Sequence, residues 1–567
     1  MTPGAQANSY DAIIVGGGHN GLVNACYLAK SGLSVLVLER RSFVGGAAIT
    51  EELHPGFSFT TFSYALSLLR PEIIQELNLV EHGFMPLLMP TSFAPMENGD
   101  YLLSTQDEQF NDLEIARHSK KDVDGYHRWS HDTEKIIQLA KPLFDNAPPD
   151  IFSDDPADQA DVAWMMKQLK GADRKTLHDL VRFLTGSASD LLDDYFETDI
   201  VKAHIASSGI IGTKIGPMSQ GSGLVLLYHM MGEQDGVSGV WGFHKGGNGG
   251  FTQVLQRAAQ AYGATVRLDS HVDHVITKDG RATGVALADG TEFTAPIVVS
   301  ALDPRRTFTE IVDPAELPSD LNESIRRYRF QGTSAKVNFA LDDLPVFPAL
   351  KGRIDHYGGF INIGPSIEYL ERAYDDAKYG WYSQRPYIDG AIQSVVDPDM
   401  APPGKHVMSC FIQYAPYELK GSDWDSERQA FGDTVQAVLE SNFPGFGDLV
   451  LHREVVTPKD IEEVAGLTEG NIFHGEFLAP QMYFMRPAPG YARYNTPIEG
   501  YYQCGSGTHP GGCVTGGPGR TPRCGSSATG PGRADAPYWQ ASAICRTRSC
   551  TVGSFAPNVE ELSWATE

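Results

Sequence analysis

Two glycine-rich segments near opposite ends of the chain carry the residue spacings best suited to chemistry. The first, YDAIIVGGGHNGL, begins at Tyr10, and the second, YYQCGSGTHPGGCVTGGPGR, runs from Tyr501 to Arg520. Glycine loses more backbone entropy on folding than any other residue, so such dense runs indicate tight turns or a backbone that must approach a ligand closely. Phosphate is a suitable ligand where a glycine loop opens a helix, because the helix N-terminus is positive.

The first segment has the spacing of a dinucleotide-binding loop. Gly16, Gly18 and Gly21 fill G-x-G-x-x-G: one glycine for the sharp turn, one for backbone approach to a pyrophosphate, and one for close helix packing. Glu39 follows about twenty residues later, where an acid binds the ribose hydroxyls. A glycine turn that serves packing only is the alternative. His19 and Asn20 suit capping and turn formation, or else direct ligand contact.

Hydrophobic periodicity predicts the elements that must position this loop. A strand at 12–15, a helix that stops at Gly32 and a strand at 34–38 surround the loop. Hairpin signals at Asp279-Gly280 and Asp289-Gly290 predict an antiparallel meander later in the chain. The later elements predicted are a helix at 251–262, a strand at 265–268 that extends the parallel sheet, and meander strands at 271–278, 282–287 and 291–299.

The middle of the chain is expected to form a substrate domain. In its first half, amphipathic spacing predicts helices in DGYHRWSHDTEKIIQLAKPLF and TLHDLVRFLTGSASDLLDDYF, with a polar, Pro-rich segment between them. Its second half offers strands at AKVNFAL and HVMSCFIQYAP and a helix at 423–441, a mixed sheet with a covering layer. Acidic residues at 190–194 suit a solvated helix face. An apolar pocket or simple core packing would explain Met230, Met231, Trp241 and Phe243.

A second glycine pair, Gly45 and Gly46, follows Glu39-Arg40 directly. This E-R-x-x-x-x-G-G element resembles the flavin-dependent amine oxidase and phytoene desaturase superfamily, in which it contacts the flavin pyrophosphate. Ala47 stands where the amine oxidase branch has Arg, which favours the desaturase branch. The blocks GHNGLVNACYLA, SYALSLLRPEI, GNIFHGEF and CGSGTHPGG resemble the bacterial relatives of pyridine nucleotide-disulphide oxidoreductase domain-containing protein 2.

This resemblance implies FAD as the cofactor. It implies an α/β fold with a two-part Rossmann-type FAD-binding domain, an inserted β-meander and an α+β substrate domain. The FAD-binding domain is expected at 1–75, 240–320 and 480–520, and the substrate domain at 76–239 and 321–479. Val272 matches the position whose backbone meets adenine, and the last strand would bring backbone amides to the ribityl chain and ring. The cofactor-binding residues implied are Gly16, Gly18, His19, Asn20, Gly21, Glu39, Arg40, Gly45, Gly46, Val272, Gly505, Gly507, Gly512 and Gly516.

Flavin carries out the difficult redox step itself, so no catalytic triad is expected. His509, His474 and Lys245 are the ring-side candidates, each with a structural hydrogen-bonding role as the alternative. The chain has one nucleotide fingerprint, which favours oxygen, a quinone or another carrier as the reoxidant. The predicted function is an FAD-dependent oxidoreductase that transfers hydride from an apolar, isoprenoid or lipid-like substrate to flavin N5. The alternative is a flavin-free lipid- or prenyl-binding or regulatory protein, since Rab GDP-dissociation inhibitors resemble this fold.

Composition narrows the partners further. The formal charge of -26 argues against nucleic acid, which requires clustered basic residues. No apolar run reaches the roughly 18 residues of a membrane span, and no secretory signal opens the chain, so we expect a cytoplasmic protein, or a mitochondrial one if the source is eukaryotic. Peripheral membrane contact and the oligomeric state stay open. The seven scattered cysteines suggest neither a metal site nor disulfides.

The tail after Arg520 does not fit the resemblance. Relatives continue with a helix that begins Asn-Ala-Ala, whereas this chain reads TPRCGSSATGPGRADAPYWQ, without apolar period. A one-nucleotide frameshift would explain residues 521–567 as an aberrant tail, because the shifted frame permits Asn-Ala-Ala-Met-Arg-Ile-Leu. A natural disordered extension is the alternative.

Overall fold

A computed structural model describes residues 8–154, 156–234 and 237–520. The expected aberrant tail, 521–567, lies outside the described residues. The strands are β1 (Ala12–Val15), β2 (Val35–Leu38), β3 (Thr50–His54), β4 (Phe57–Thr60), β5 (Pro86–Met89), β6 (Ser92–Pro95), β7 (Tyr101–Ser104), β8 (Glu233–Gln234), β9 (Val237–Ser238), β10 (Trp241–His244), β11 (Thr265–Arg267), β12 (Val272–Lys278), β13 (Arg281–Leu287), β14 (Glu292–Thr294), β15 (Ile297–Ser300), β16 (Ser334–Leu341), β17 (Phe360–Ile363), β18 (Tyr387–Ala391), β19 (His406–Gln413), β20 (Val450–Val456) and β21 (Tyr501–Gln503).

Helices flank both large sheets of the described residues. They are α1 (His19–Lys30), α2 (Pro71–Glu76), α3 (Glu108–His118), α4 (Lys120–Asp145), α5 (Pro156–Gly171), α6 (Arg174–Thr185), α7 (Ala188–Asp193), α8 (Asp199–Ala206), α9 (Ser222–Met230), α10 (Gly247–Ala261), α11 (Ser319–Arg327), α12 (Ile367–Lys378), α13 (Trp424–Asn442), α14 (Phe446–Leu449), α15 (Pro458–Ala465) and α16 (Gly517–Arg520).

A parallel sheet with the strand order β11-β2-β1-β15-β21 holds the first glycine loop. Its strands β1, β2 and β15 are four residues long, apolar except for Ser300, and buried throughout, as expected where helices cover both faces of a parallel sheet. The strands come from all three stretches that the sequence assigns to the FAD-binding domain. The exact bounds of that division stay a prediction.

The meander is present, but its last predicted strand is divided in two. β12, β13 and β14 form the antiparallel three-stranded sheet, whereas β15 belongs to the parallel sheet. Pro296 lies between β14 and β15. Because proline has no amide hydrogen to donate to a ladder, it ends pairing there and lets the chain change sheets.

A seven-stranded sheet with the order β20-β16-β19-β18-β17-β6-β7 forms the second layer. Strands β16 and β19 are the two predicted strands, and both are buried along almost their whole length. The predicted helix at 423–441 is α13, and its apolar side packs on this sheet in a common core. The fold is thus α/β with a second, mixed sheet, as predicted.

The helical half of the middle region differs from its prediction in two places. The second predicted helix is interrupted at Gly186, and Ser187 caps the new helix α7 by accepting from the Asp190 amide at 3.0 Å. Helix α5 begins within the polar, Pro-rich segment. Asp190, Asp193 and Asp194 are exposed, in line with a solvated helix face. In the described part of the chain, no helix has the length and apolarity needed to cross a membrane.

Candidate functional site

The N-terminus of α1 is open to a ligand. Gly18 caps the helix without any side-chain hydrogen bond, and no acidic residue lies in the first turn. The first amides of a helix lack internal partners and attract anions. Gly16 has a φ of +102°, which a glycine adopts freely, and a Cβ at Gly21 would lie 2.2 Å from the Gly16 carbonyl oxygen. The three glycines therefore take the turn, approach and packing positions of the fingerprint.

The second glycine pair packs against the first loop, backbone to backbone. The Gly45 amide donates to the Gly17 carbonyl at 2.9 Å. A Cβ at Gly46 would lie 3.2 Å from the Gly18 Cα, and Gly46 has a φ of +60°. A side chain at Gly46 would press on the first turn, and a Cβ at Gly45 would lie 2.6 Å from the Ala48 carbonyl oxygen, so both glycines are needed for the narrow cradle.

Glu39 is held in place by backbone amides. Gly17 donates to one carboxylate oxygen at 2.8 Å and Arg41 donates to the other at 2.9 Å. The side chain is buried yet lines the central cavity, and a carboxylate has acceptor capacity beyond these two bonds. Arg40 also lines the cavity, and its guanidinium donates to the carbonyls of Glu463 and Val464.

The closing glycine segment reaches the first loop. Strand β21 pairs in parallel with β15, and the Cys504 amide continues the ladder with a 2.7 Å bond to the Ser300 carbonyl. The chain then places Ser506 beside α1, where its hydroxyl accepts from the Asn20 side-chain amide at 3.0 Å. The two glycine segments are 486 residues apart at this bond and lie on the same site.

A single cavity of about 940 Å³ joins these parts. It runs from the α1 N-terminus into the space between α4 and the seven-stranded sheet, and exposed Gln106, Glu134 and Gln138 lie at its rim. The predicted cofactor residues on its wall are Gly16, Gly18, His19, Asn20, Gly21, Glu39, Arg40, Gly46 and Val272.

Other predicted cofactor residues are not on the cavity wall. Gly45, Gly505, Gly507, Gly512 and Gly516 support it through close packing on neighbouring segments instead. A Cβ at Gly505 would lie 2.2 Å from the Leu302 carbonyl oxygen, and one at Gly507 would lie 2.2 Å from the Cδ of Pro304. The neighbours Ser506, Cys513 and Val514 line the cavity in their place.

The three ring-side candidates have different surroundings. His474 lines the cavity, and burial lowers the pKa of its imidazole to about 3, so the ring is neutral. His509 lies off the wall, stacked on Phe144 with the ring centroids 6.1 Å apart. Lys245 is half exposed and pairs with Asp399 at 3.2 Å. The structure thus brings only His474 to the cavity, because the other two side chains point into the core and into solvent.

Unpartnered polar atoms mark the wall beside the glycine loops. His19 Nε2, Asn20 Oδ1, Arg306 Nε and His474 Nδ1 are buried without a hydrogen-bond partner within the protein. Buried polar groups normally have partners, so such a cluster is typical of a site for a polar ligand. Together with the glycine cradle and the open helix end, it fits the adenine dinucleotide that the resemblance implies.

The sequence did not single out a second polar group, deeper in the cavity. Lys336, Asp389 and Asn362 line the wall formed by the seven-stranded sheet, and Tyr64 lines the cavity beside them. Burial lowers the pKa of Lys336 to about 7 and raises the pKa of Asp389 to about 7. Both residues interrupt apolar strand sequences, SAKVNFAL and YIDGA, and a charge at the centre of a buried strand was the available signal.

A histidine and a cysteine also meet at the wall. The Cys513 sulfur lies 3.5 Å from Nε2 of His229, whose Nδ1 lies 2.9 Å from the Val225 carbonyl. Burial raises the pKa of Cys513 to about 12 and lowers the pKa of His229 to about 4, so both are neutral near pH 7. Of the four apolar candidates, Met230, Met231 and Trp241 line the cavity, and Phe243 is fully buried in the core.

Neither metal chemistry nor disulfide chemistry is indicated among the described residues. No group of three or more His, Cys, Asp or Glu in that part of the chain could hold a metal ion. The described cysteines, Cys26, Cys410, Cys504 and Cys513, are free thiols.

Comparisons with known proteins agree with this geometry. Residues 21–516 match the family described as flavin containing amine oxidoreductase. The chain is 38% identical over 540 residues to pyridine nucleotide-disulfide oxidoreductase domain-containing protein 2 of Rattus norvegicus, covering 91% of this chain and 93% of the relative. It is 24% identical to the lycopene-forming phytoene desaturase of a Paracoccus species, covering 89% and 94%. The resemblance to both groups is confirmed, whereas these matches do not confirm a bacterial origin.

A solved structure shows the same fold. Putrescine oxidase bound to putrescine superposes with a TM-score of 0.57 at 16% identity, over 90% of this chain and 97% of the other. At this identity the likeness concerns the fold alone.

Proposed function

Because the chain belongs to the flavin-containing amine oxidoreductase family and is an FAD-dependent oxidoreductase, we propose that it removes hydride from an apolar, isoprenoid-like or lipid-like substrate. The observation that carries this proposal is the single cavity that joins the dinucleotide cradle to a largely apolar chamber. The chamber wall includes Ile137, Met230, Phe360 and Phe411. Such a wall favours a ligand with an extensive apolar surface.

The glycine cradle would hold the cofactor. Gly18 and Gly46 leave room for the pyrophosphate at the α1 N-terminus, Glu39 would accept from the ribose hydroxyls, and Val272 would meet the adenine. Bound FAD supplies a two-electron acceptor, and the protein supplies binding, orientation and exclusion of water.

The chamber residues would orient the substrate and manage protons. Phe411 stacks on Tyr64 with the ring centroids 6.0 Å apart, and Phe360 meets Tyr64 edge-on, which gives an aromatic floor. Because its pKa is about 7, the Lys336 amine can hold or release a proton at Nζ near neutral pH. His474 and His229, with pKa values of about 3 and 4, stay neutral and act as hydrogen-bonding groups.

The test is to purify the protein, release the bound cofactor by denaturation and identify it by chromatography. Isoprenoids, lipids and amines are then screened for anaerobic bleaching of the flavin absorbance. We expect FAD, and bleaching by an isoprenoid or lipid. Bleaching by small amines alone would contradict the substrate proposal, and a protein without flavin bands would favour the flavin-free binding alternative, which the family match does not support.

A further inference from the structure

A polar row crosses the apolar seven-stranded sheet where it faces the cavity. Phe411 on β19 is the register partner of Lys336 on β16 and of Asp389 on β18, and Asp389 is in turn the partner of Asn362 on β17. All four residues line the cavity. Direct cross-strand partners share a face of the sheet, so the four side chains form one continuous strip of wall.

Asp389 has acceptor capacity left for a ligand. The Tyr64 hydroxyl donates to Oδ2 at 2.6 Å, and the Asn362 amide donates to Oδ1 at 2.9 Å. A carboxylate has about four acceptor positions, so the two bonds leave about two of them. These bonds also fix the orientation of the carboxyl group, because both of its oxygens are engaged.

Lys336 has donor capacity left on the same strip. Its ammonium donates to the Ser409 hydroxyl and lies 4.1 Å from the centroid of the Tyr64 ring. An ammonium group has three donors, so at least one remains for a ligand. Two strand spacings, about 9.6 Å, separate the backbones of Lys336 and Asp389, a gap that the lysine side chain and a bound polar group can span.

The balance of charge limits which polar group fits. The strip carries one acid and one base, and their sum is zero whether the proton lies on the lysine or on the carboxyl group. A ligand with a full charge would leave a net charge buried between aromatic walls, which costs several kcal/mol in general. An uncharged group that both donates and accepts pairs with both residues at once.

We propose that this strip is a docking site for one hydroxyl group on an otherwise apolar substrate. The hydroxyl hydrogen is donated to Asp389, and the hydroxyl oxygen accepts from Lys336. The inference rests on the proposed function only in that the ligand is its substrate. Because burial brings the pKa values of both residues to about 7, the pair shares one proton and carries no net charge near pH 7.

The test is anaerobic calorimetry on the FAD-containing protein with four probes of one chain length: octanol, octyl methyl ether, octylammonium and octanoate. The ether accepts a hydrogen bond but cannot donate to Asp389. We expect octanol to bind about tenfold more tightly than the ether, the effect of one hydrogen bond to a charged group, and more tightly than either ion. Equal binding of octanol and the ether, or tightest binding of an ion, would overturn the proposal.

Two variants test whether the strip causes the preference for octanol over the ether. Asp389→Asn is expected to bring the octanol-to-ether ratio close to one. The matched control Asp342→Asn, whose carboxylate pairs with Lys405 away from the cavity, is expected to retain the wild-type ratio. An unchanged ratio in Asp389→Asn would refute the assignment. If that variant does not fold, the ranking of the four probes on the wild-type protein still decides. Failure of the proposed function would show separately, as flavin that no substrate bleaches.

Discussion

Gly18→Ala is expected to weaken FAD binding without weakening the fold. Gly18 has φ -68° and ψ 168°, a conformation open to alanine, and its new Cβ would meet only the Gly46 Cα, at 3.8 Å. The methyl group therefore fits the protein, and loss of glycine entropy in the unfolded chain adds about 0.4–1 kcal/mol of stability. The same methyl group stands on the cavity wall where the pyrophosphate must approach the helix end.

The expected loss of affinity follows from the hydrogen bonds at stake. Displacing the pyrophosphate from the α1 amides forfeits at least one bond to a charged group, about 1.5–3 kcal/mol, which is roughly a 10- to 100-fold increase in Kd. Urea unfolding across a range of FAD concentrations measures both effects, since a ligand stabilises by RT ln(1 + [L]/Kd). In Gly18→Ala, the rise in the free energy of unfolding with FAD should begin at a higher FAD concentration. The free energy of unfolding at low FAD should be unchanged or slightly raised.

Gly32→Ala, at the other end of the same helix, is the matched control. Its φ is +90° and a Cβ there meets no atom within 4 Å, so the substitution costs backbone strain of about 1–2 kcal/mol and nothing else. Gly32→Ala should lower the free energy of unfolding by the same amount at every FAD concentration and leave the Kd for FAD unchanged. A Gly18→Ala protein that binds FAD within about threefold of wild type, or a Gly32→Ala protein that loses FAD equally, would refute this assignment of the loop.

Three further outcomes are expected. Arg486→Met should lower the free energy of unfolding by about 3–5 kcal/mol and reduce FAD content, because the buried guanidinium donates to the Phe473 and Ser506 carbonyls and methionine would remove this donor from both. Urea unfolding and flavin absorbance measure the two effects, and a loss below about 1 kcal/mol would contradict this role. Burial raises the pKa of Asp389 from 3.8 to about 7, so the unfolded chain binds fewer protons than the folded chain between these values. The free energy of unfolding of the wild type should therefore fall by roughly 2–4 kcal/mol between pH 4 and 7, relative to that of Asp389→Asn. Parallel pH profiles of the two proteins would exclude the shift. Lys245→Met should change the free energy of unfolding by less than about 0.5 kcal/mol and leave FAD content unchanged, because the ion pair of Lys245 with Asp399 is exposed. A flavin spectrum altered by this substitution would instead indicate that Lys245 lies near the flavin.

The sequence was sufficient to predict an element wherever the residues that determine the element lie close together in the chain. The strand at Ala12–Val15, the turn at Gly16 and the helix at His19–Lys30 follow from apolar period and glycine spacing within about twenty residues. The same holds for the hairpin turn at Asp279-Gly280. The break between β14 and β15 also has a local cause, Pro296, which the period alone did not reveal.

The rest depends on partners that are remote in sequence. Whether a histidine faces the cavity is decided by packing: His474 lines the wall, but His509 stacks on Phe144 and meets Tyr483 edge-on. Lys336 and Asp389 look like ordinary strand residues until the register of β16, β19 and β18 places them on one face. Register between strands tens of residues apart depends on the whole core, and no short motif encodes it.

The contacts between the two glycine segments explain why a substitution at one residue changes FAD affinity alone, whereas a substitution at another changes affinity and fold stability together. Side-chain hydrogen bonds join the closing segment to α1. The Asn20 amide donates to the Ser506 hydroxyl, and the Asn24 amide donates to the Gly519 carbonyl at 3.1 Å. Arg486 holds the Ser506 carbonyl at 3.0 Å from the other side. Removing Arg486 therefore loosens the wall before any ligand binds, so stability and affinity fall together. Gly18 supports no such side-chain bond, and it begins α1 with a backbone conformation that alanine shares. Its substitution is therefore expected to weaken FAD binding without weakening the fold.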